Sequence, residues 1–146
     1  MGAECIFCRI VEGKEKSWKI YEDEICVAFL DAFPVTEGHT IVATKKHYPD
    51  IFETEDDVFT HIFKVTRKIA MAMKKSLGAE FVNVIIAPGV IKHAFVHVVP
   101  RYDYDLMGPI PDMENKRSLS EEEMEIIARK LRGGLGAGKK DEGKTG

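Results

Sequence analysis

The chain lacks the features that mark several classes of protein. It has no excess of positive charge, because 21 Lys and Arg residues face 24 Asp and Glu residues, and its net charge is −3. Proteins that bind the phosphate backbone usually need a basic surface, so we expect no nucleic-acid partner. No apolar run approaches the roughly 20 residues that cross a bilayer, and the N-terminus does not read as a secretion signal. The sequence therefore favours a cytoplasmic protein without a membrane partner.

Cysteine is also scarce. Three cysteines are too few, and too odd in number, for a disulfide framework. Two residues separate Cys5 from Cys8, a spacing that suits half of a metal site or a redox pair, although it also arises by chance. Histidines that follow or open a predicted strand, His47 and His93, could complete a zinc site, and His61 is a competing ligand. We expect His61 to lie on the surface of a helix.

The length of 146 residues suits one domain with its own core. We assign residues 1–132 to that domain. The Gly- and Lys-rich residues 133–146 show no hydrophobic periodicity, so we predict a disordered tail there.

The hydrophobic patterns predict an α+β domain, with an antiparallel sheet of about five strands and helices on one face. Apolar residues at helical spacing indicate a long helix that begins at the N-cap Thr54 and ends at Gly78. A capping box of Ser120 and Glu123 opens a C-terminal helix that ends at 133–134. The predicted strands form a hairpin over residues 18–30, a third strand over 39–44, and a central antiparallel pair over 81–87 and 91–100.

The last predicted strand places His93, Phe95 and His97 on one face, since side chains alternate along a strand. An imidazole nitrogen can attack phosphorus, whereas a phenyl ring cannot. The strand is therefore either an ordinary sheet strand that carries two histidines or a catalytic strand that has lost its nucleophile.

Five segments, taken in order, resemble the histidine triad superfamily of nucleotidyl hydrolases and transferases. The resemblance covers residues 5 to about 101, and the order and spacing of the segments make it specific. The segments are Cys5-Ile6-Phe7-Cys8-Arg9-Ile10-Val11, Tyr21-Glu22-Asp23-Glu24, Ala28-Phe29-Leu30-Asp31-Ala32-Phe33-Pro34, Gly38-His39-Thr40-Ile41-Val42 with Lys46-His47, and residues 93–101.

The resemblance implies a homodimer whose two sheets join into one, with a purine-nucleotide pocket in each subunit. Asp31 would take the ribose hydroxyls in that pocket, although an Asp before Pro is ordinarily a turn former. Apolar residues at such spacings are often plain core. By position, the base pocket would be lined by Ile6, Phe7, Ile10 and Phe29.

In zinc-bearing members of the superfamily, a C-x-x-C pair and two histidines hold the metal. The resemblance assigns those roles to Cys5, Cys8, His47 and His93. It thereby favours zinc over the redox pair that the spacing alone leaves open.

The chain departs from the family at the residue that attacks the α-phosphate. The family uses the middle histidine of its triad to form a covalent nucleotidyl-imidazole, and Phe95 occupies that position here. His39 and His97 match histidines that orient the phosphate or share its protons. A second departure replaces a Gly-Gln-x-φ segment with residues 88–91 and removes polar donors from the phosphate site. A shifted register, with His97 in the middle, fits the motif's end poorly.

Three hypotheses follow. The first is a zinc-containing purine-nucleotide binder that has lost the covalent chemistry. The second is an active nucleotide hydrolase or transferase that uses another nucleophile, His97 or a bound water. The third is a zinc-stabilised scaffold that binds protein partners and no nucleotide.

Overall fold

The structure is a computed structural model that describes residues 5–87 and 91–136. Within them the chain forms five strands, three α-helices and a short 3-10 helix. No helix in this part of the chain is long and apolar enough to cross a membrane. In chain order the elements are α1 (Ile6–Val11), β1 (Lys19–Glu22), β2 (Cys26–Leu30), β3 (Thr40–Thr44), the 3-10 helix (Ile51–Glu53), α2 (Asp56–Leu77), β4 (Phe81–Ile85), β5 (Phe95–Arg101) and α3 (Glu121–Gly134).

The five strands form one antiparallel sheet in the order β1-β2-β3-β5-β4. This confirms the predicted α+β class and strand number. The prediction that β4 and β5 lie together at the centre is wrong, because β3 is central and β4 is an edge strand. The 22-residue helix α2 carries the chain across the sheet after β3, so β4 forms the far edge. β5 then returns into the space between β3 and β4.

Helices pack on both faces of the sheet, whereas the sequence suggested helices on one face only. Helices α2 and α3 cover the face that carries Ala28, Leu30 and Val42. The short helix α1, which the sequence patterns did not identify, packs on the opposite face with Val27 and Phe29 of β2. Because neighbouring residues of a strand point to opposite faces, β2 is buried along its whole length.

The helix boundaries follow most of the predicted signals. Gly78 ends α2 in a left-handed conformation with φ 74°, and Ser120 opens α3 with the expected capping box. Thr54 is not the N-cap of α2: Glu55 has that place, and the Thr54 hydroxyl donates to the Ile51 carbonyl. Helix α3 continues to Gly134, two residues past the predicted domain boundary, while residues 137–146 of the predicted tail lie outside the described residues.

Candidate functional site

Two cysteines and two histidines converge at one end of the sheet. Cys5 caps the N-terminus of α1, Cys8 lies in its first turn, His47 follows β3, and His93 precedes β5. The Cys5 Sγ to His93 Nδ1 distance is 3.3 Å, and the Cys8 Sγ to His47 Nδ1 distance is 3.2 Å. All four ligand atoms lie within 4.8 Å of one another. The ligand atoms of a tetrahedral zinc ion lie about 3.3–3.8 Å apart, so this group fits one metal ion.

His93 is fixed by a hydrogen bond on the far side of its ring. Its Nε2 donates to the Thr44 carbonyl over 2.7 Å, which leaves Nδ1 unprotonated and directed at the cysteines. The same bond explains why β5 begins at Phe95 and not at residue 91, as the sequence predicted. The Thr44 carbonyl accepts its hydrogen bond from the imidazole, and the regular pairing of β3 with β5 stops at Ala43 and Phe95.

His61 does not belong to this cluster. Its Nε2 lies 2.6 Å from Asp23 Oδ2, in a separate group with Cys26 at the turn between β1 and β2. Asp23 also accepts hydrogen bonds from the backbone N–H groups of Ile25 and Cys26, which closes the β1–β2 turn. Burial raises the pKa of Asp23, but the hydrogen bonds from His61 and from these backbone groups outweigh it and hold that pKa well below its usual range. His61 therefore lies at the boundary of the long helix, as the sequence suggested, and its ring connects α2 to the hairpin through Asp23.

A cavity of about 500 Å³ opens beside α1 and the middle strands. Lys16, Trp18 and Lys116 also line it, and no motif in the sequence drew attention to them. Lys116 lies in an irregular segment beyond the part of the chain that resembles the histidine triad proteins. All six residues that the resemblance assigned to a nucleotide line this one cavity: Ile6, Phe7, Ile10, Phe29, Asp31 and His97.

Phe95 forms part of the same wall. Its ring meets the Phe7 ring edge to face at a centroid distance of 5.0 Å, and its centroid lies 5.1 Å from that of His97. Phe95 also lines a second cavity of about 430 Å³ that reaches His93. The phenyl ring therefore separates the large cavity from a smaller one beside the Cys/His cluster. Neither Phe95 nor His97 is fully buried, so both side chains stay accessible from the cavity.

His39 and His97 form a chain of hydrogen bonds behind the cavity. The Val35 N–H donates to His39 Nδ1 over 3.1 Å, so that nitrogen carries no proton. His39 therefore holds its proton on Nε2, which lies 3.0 Å from His97 Nδ1 and donates to it. His97 in turn keeps its own proton on Nε2. The backbone of Val35 thus decides which nitrogen of His97 is protonated.

Both imidazoles are neutral near pH 7. Burial lowers the pKa of His39 to about 3, with a smaller contribution from the neighbouring His97. Burial also lowers the pKa of His97, although the carboxylate of Asp31 opposes the shift. A neutral pair with fixed tautomers can donate one N–H towards a ligand, but it offers no permanent positive charge.

Comparison with known proteins identifies the family. The HIT domain, the histidine triad family, matches residues 12–104 of this chain. The chain therefore belongs to the histidine triad family.

Its relatives include proteins similar over nearly their whole length. An uncharacterised HIT-like protein of Saccharolobus solfataricus is 36% identical and covers 88% of this chain and 98% of its own length. An adenylylsulfatase of Arabidopsis thaliana is 32% identical, over 71% of this chain and 55% of its own. A zinc-bound histidine triad protein of Mycobacterium smegmatis has the same fold, with a TM-score of 0.78, 31% identity, and coverage of 97% and 99%.

Proposed function

We propose that this protein binds purine nucleotides, contains zinc, and does not form the covalent nucleotidyl-histidine intermediate of its family. The observation that carries the proposal is the cavity, in which every residue assigned to a nucleotide is present and Phe95 stands beside them. Its volume of about 500 Å³ lies in the range of small-molecule pockets. Its apolar wall suits a purine ring, and the Asp31 carboxylate suits vicinal hydroxyls.

Loss of the covalent step follows from the chemistry of the two side chains at the reacting position. A phenyl ring has no lone pair, so Phe95 cannot attack phosphorus. His97 cannot replace it, because its Nδ1 accepts the hydrogen bond from His39 Nε2 and its own Nε2 is protonated. Removing the nucleophile of a well-studied hydrolase triad costs on the order of 10⁶ in kcat, and we expect a loss of that order here.

Zinc would be held by Cys5, Cys8, His47 and His93. Four protein ligands complete a tetrahedral shell and leave no position for water or substrate, so the ion would have a structural role. The cluster joins helix α1 to the ends of β3 and β5. It would thereby hold Ile6, Phe7 and Ile10 against the cavity.

Hydrolysis through a bound water is the second candidate function. The similarity to an adenylylsulfatase favours it, because that relative is named for the hydrolysis of adenylyl sulfate. Adenylyl sulfate therefore belongs among the compounds to test. Against this candidate, both histidines near the cavity are neutral and already hydrogen-bonded to each other, and neither is free to take a proton from water.

The experiment combines binding and turnover. Calorimetry with AMP, GMP and ATP should show stoichiometric binding of a purine nucleotide to the native protein. Incubation with adenosine phosphoramidate, a dinucleoside polyphosphate and adenylyl sulfate should show no turnover at rates normal for the family. Mass spectrometry of the quenched protein should show no added nucleotidyl group. Ordinary turnover without an adduct would establish the second candidate, and a covalent nucleotidyl adduct would contradict the loss of the covalent step. The absence of all nucleotide binding would leave the scaffold function.

Asp31→Asn supplies the matched variant. Hydrogen bonds to a charged group contribute about 1.5–3 kcal/mol, so AMP affinity should fall by about tenfold or more. Asp112→Asn, which changes an exposed carboxylate outside the cavity, should leave the affinity within about twofold of native. Equal effects of the two substitutions would contradict the assignment of Asp31.

We further propose that two chains pair through β4 to form one continuous sheet. β4 is an edge strand whose Phe81 and Val84 are exposed, and Ile86 just beyond it is exposed as well. Exposed apolar side chains on an unpaired edge invite pairing with another strand. Sedimentation should give twice the chain mass of 16.4 kDa for the native protein and a single chain for Val84→Asp. Met71→Asp, on the exposed side of α2, should remain dimeric, and a native monomer would contradict the proposal.

A further inference from the structure

The nucleotide cavity contains two lysines, and they differ in how their charges are used. Lys16 has its Nζ 3.0 Å from the Glu121 carboxylate and 5.5 Å from the centre of the Trp18 ring. Its charge is therefore partly neutralised. Lys116 forms no ion pair among residues 5–87 and 91–136. The uncompensated cation of the cavity wall in this part of the chain is thus Lys116.

The backbone around Lys116 is held in place, although its side chain is exposed. The N–H of Arg117 donates to the Pro34 carbonyl over 2.9 Å, and the Arg117 Nε donates to the Val35 carbonyl over 3.2 Å. These bonds attach the segment to the same Val35 whose N–H fixes the tautomer of His39. A further bond, from the Lys116 N–H to the Glu114 carbonyl, closes the turn before it. The segment that carries Lys116 and the His39 ring are therefore both held by backbone groups of Pro34 and Val35.

The charge of Lys116 reaches the histidines. Burial lowers the pKa of His97, and the positive charge of Lys116 adds to that effect. His97 itself carries a proton on Nε2, the ring nitrogen that His39 does not occupy. A cation and a neutral N–H donor that line the same cavity form a set of groups that suits an anionic oxygen.

We propose that Lys116 binds the phosphate of the nucleotide, together with His97, and supplies the charge that this site needs in the absence of the family's reacting histidine. The inference rests on the proposed function and names the residue that would make the site prefer a nucleotide to a nucleoside. Asp31 is the one carboxylate among the described lining residues, and it is assigned to the ribose. The Asp31 carboxylate also lies 3.6 Å from His39 Nε2 and close to His97, so an anionic ligand at this end needs a cation beside it. Lys116 is the lining lysine that forms no ion pair among the described residues.

The test compares AMP with adenosine in calorimetry on the full chain. The native protein should bind AMP about tenfold more tightly than adenosine, and added KCl should weaken AMP binding only. Lys116→Met should lose most of that tenfold preference while its adenosine affinity and melting temperature stay at native values. Lys116→Arg, which keeps the charge, should retain the preference.

Two further variants separate this residue from the general charge of the protein. Lys16→Met should cost AMP binding about twofold, since Glu121 already offsets that charge. Lys130→Met, on the exposed side of α3 and outside the cavity, should leave both affinities unchanged. Equal losses from Lys16→Met and Lys116→Met would overturn the inference, as would an equal weakening of AMP and adenosine by Lys116→Met.

The two proposals fail in different ways. If the native protein binds AMP and adenosine equally, the role of Lys116 is wrong and the nucleotide-binding function stands. If the native protein binds neither compound, nor any other purine nucleotide, the function itself is wrong and the inference falls with it.

Discussion

Replacing Cys8 by Ser should abolish zinc binding and strongly destabilise the protein. Structural zinc contributes folding free energy directly, and α1 has six residues, too few to be stable as an isolated helix. We expect the zinc content to fall from about one ion per chain to near zero. The free energy of unfolding should fall by more than about 3 kcal/mol, which lowers the melting temperature by roughly 10 °C. Metal analysis and thermal unfolding of the same samples measure both effects.

Chelation and a second cysteine provide the controls. A strong chelator should lower the melting temperature of the native protein and leave that of Cys8→Ser unchanged. Cys26→Ala removes a buried thiol from the opposite face of the sheet, so it should keep its zinc and its sensitivity to the chelator. Zinc-free native protein should also bind AMP more weakly, because α1 carries part of the cavity wall. Full zinc content in Cys8→Ser would contradict the assigned ligands.

Replacing Asp105 by Asn should be comparably destabilising. Arg101 is 1% exposed, and its Nε and Nη2 donate to the two oxygens of Asp105 over 2.9 and 3.0 Å. Asp105 also accepts from the backbone N–H groups of Tyr102 and Met107. Removing one partner of a buried ion pair leaves the other charge uncompensated and typically costs about 3–5 kcal/mol. Urea unfolding at pH 7 should show a loss of that size.

The pH dependence gives an independent check. The Arg101 hydrogen bonds hold the pKa of Asp105 well below its usual range, so its stabilising contribution is fully present above the unfolded value near 3.9. That contribution is lost as the pH falls below this value towards the folded pKa. The difference in stability between native and Asp105→Asn should therefore shrink below about pH 4. Asp103→Asn, an exposed neighbour, should change stability by less than about 0.5 kcal/mol, and a similar loss there would contradict the role of the buried pair.

Local signals in the sequence predicted the elements that depend on neighbouring residues. The β1–β2 hairpin, the Gly78 helix end and the Ser120 capping box all involve contacts within a few residues. Wrong or missed predictions involve residues from another element. β5 starts late because the His93 N–H donates to the Thr44 carbonyl of β3, 49 residues earlier. The wrong N-cap is a local exception, since the Thr54 hydroxyl donates to Ile51, three residues before it.

The candidate site divides in the same way. The resemblance to the family drew attention to six residues that line one cavity and to Phe95 beside them, since these lie in recognisable segments. It did not locate Lys116 or the Arg101–Asp105 pair, because the segment that carries Asp105 and Lys116 has no hydrophobic periodicity or motif. Their roles depend on contacts with Pro34 and Val35, or on complete burial beside the end of β5.

By itself, the sequence determined the α+β class, the absence of an attacking nitrogen at Phe95, and the types of residue that can bind a metal. Only the tertiary structure decided which of them meet. Cys8 and His47 are 39 residues apart in the chain, and Cys5 and His93 are 88 apart, yet each pair lies within 3.3 Å. Such meetings depend on the order of strands in the sheet, which places the ends of β3 and β5 side by side. Hydrophobic periodicity carries no information about that order, because every strand of a buried sheet satisfies the same pattern.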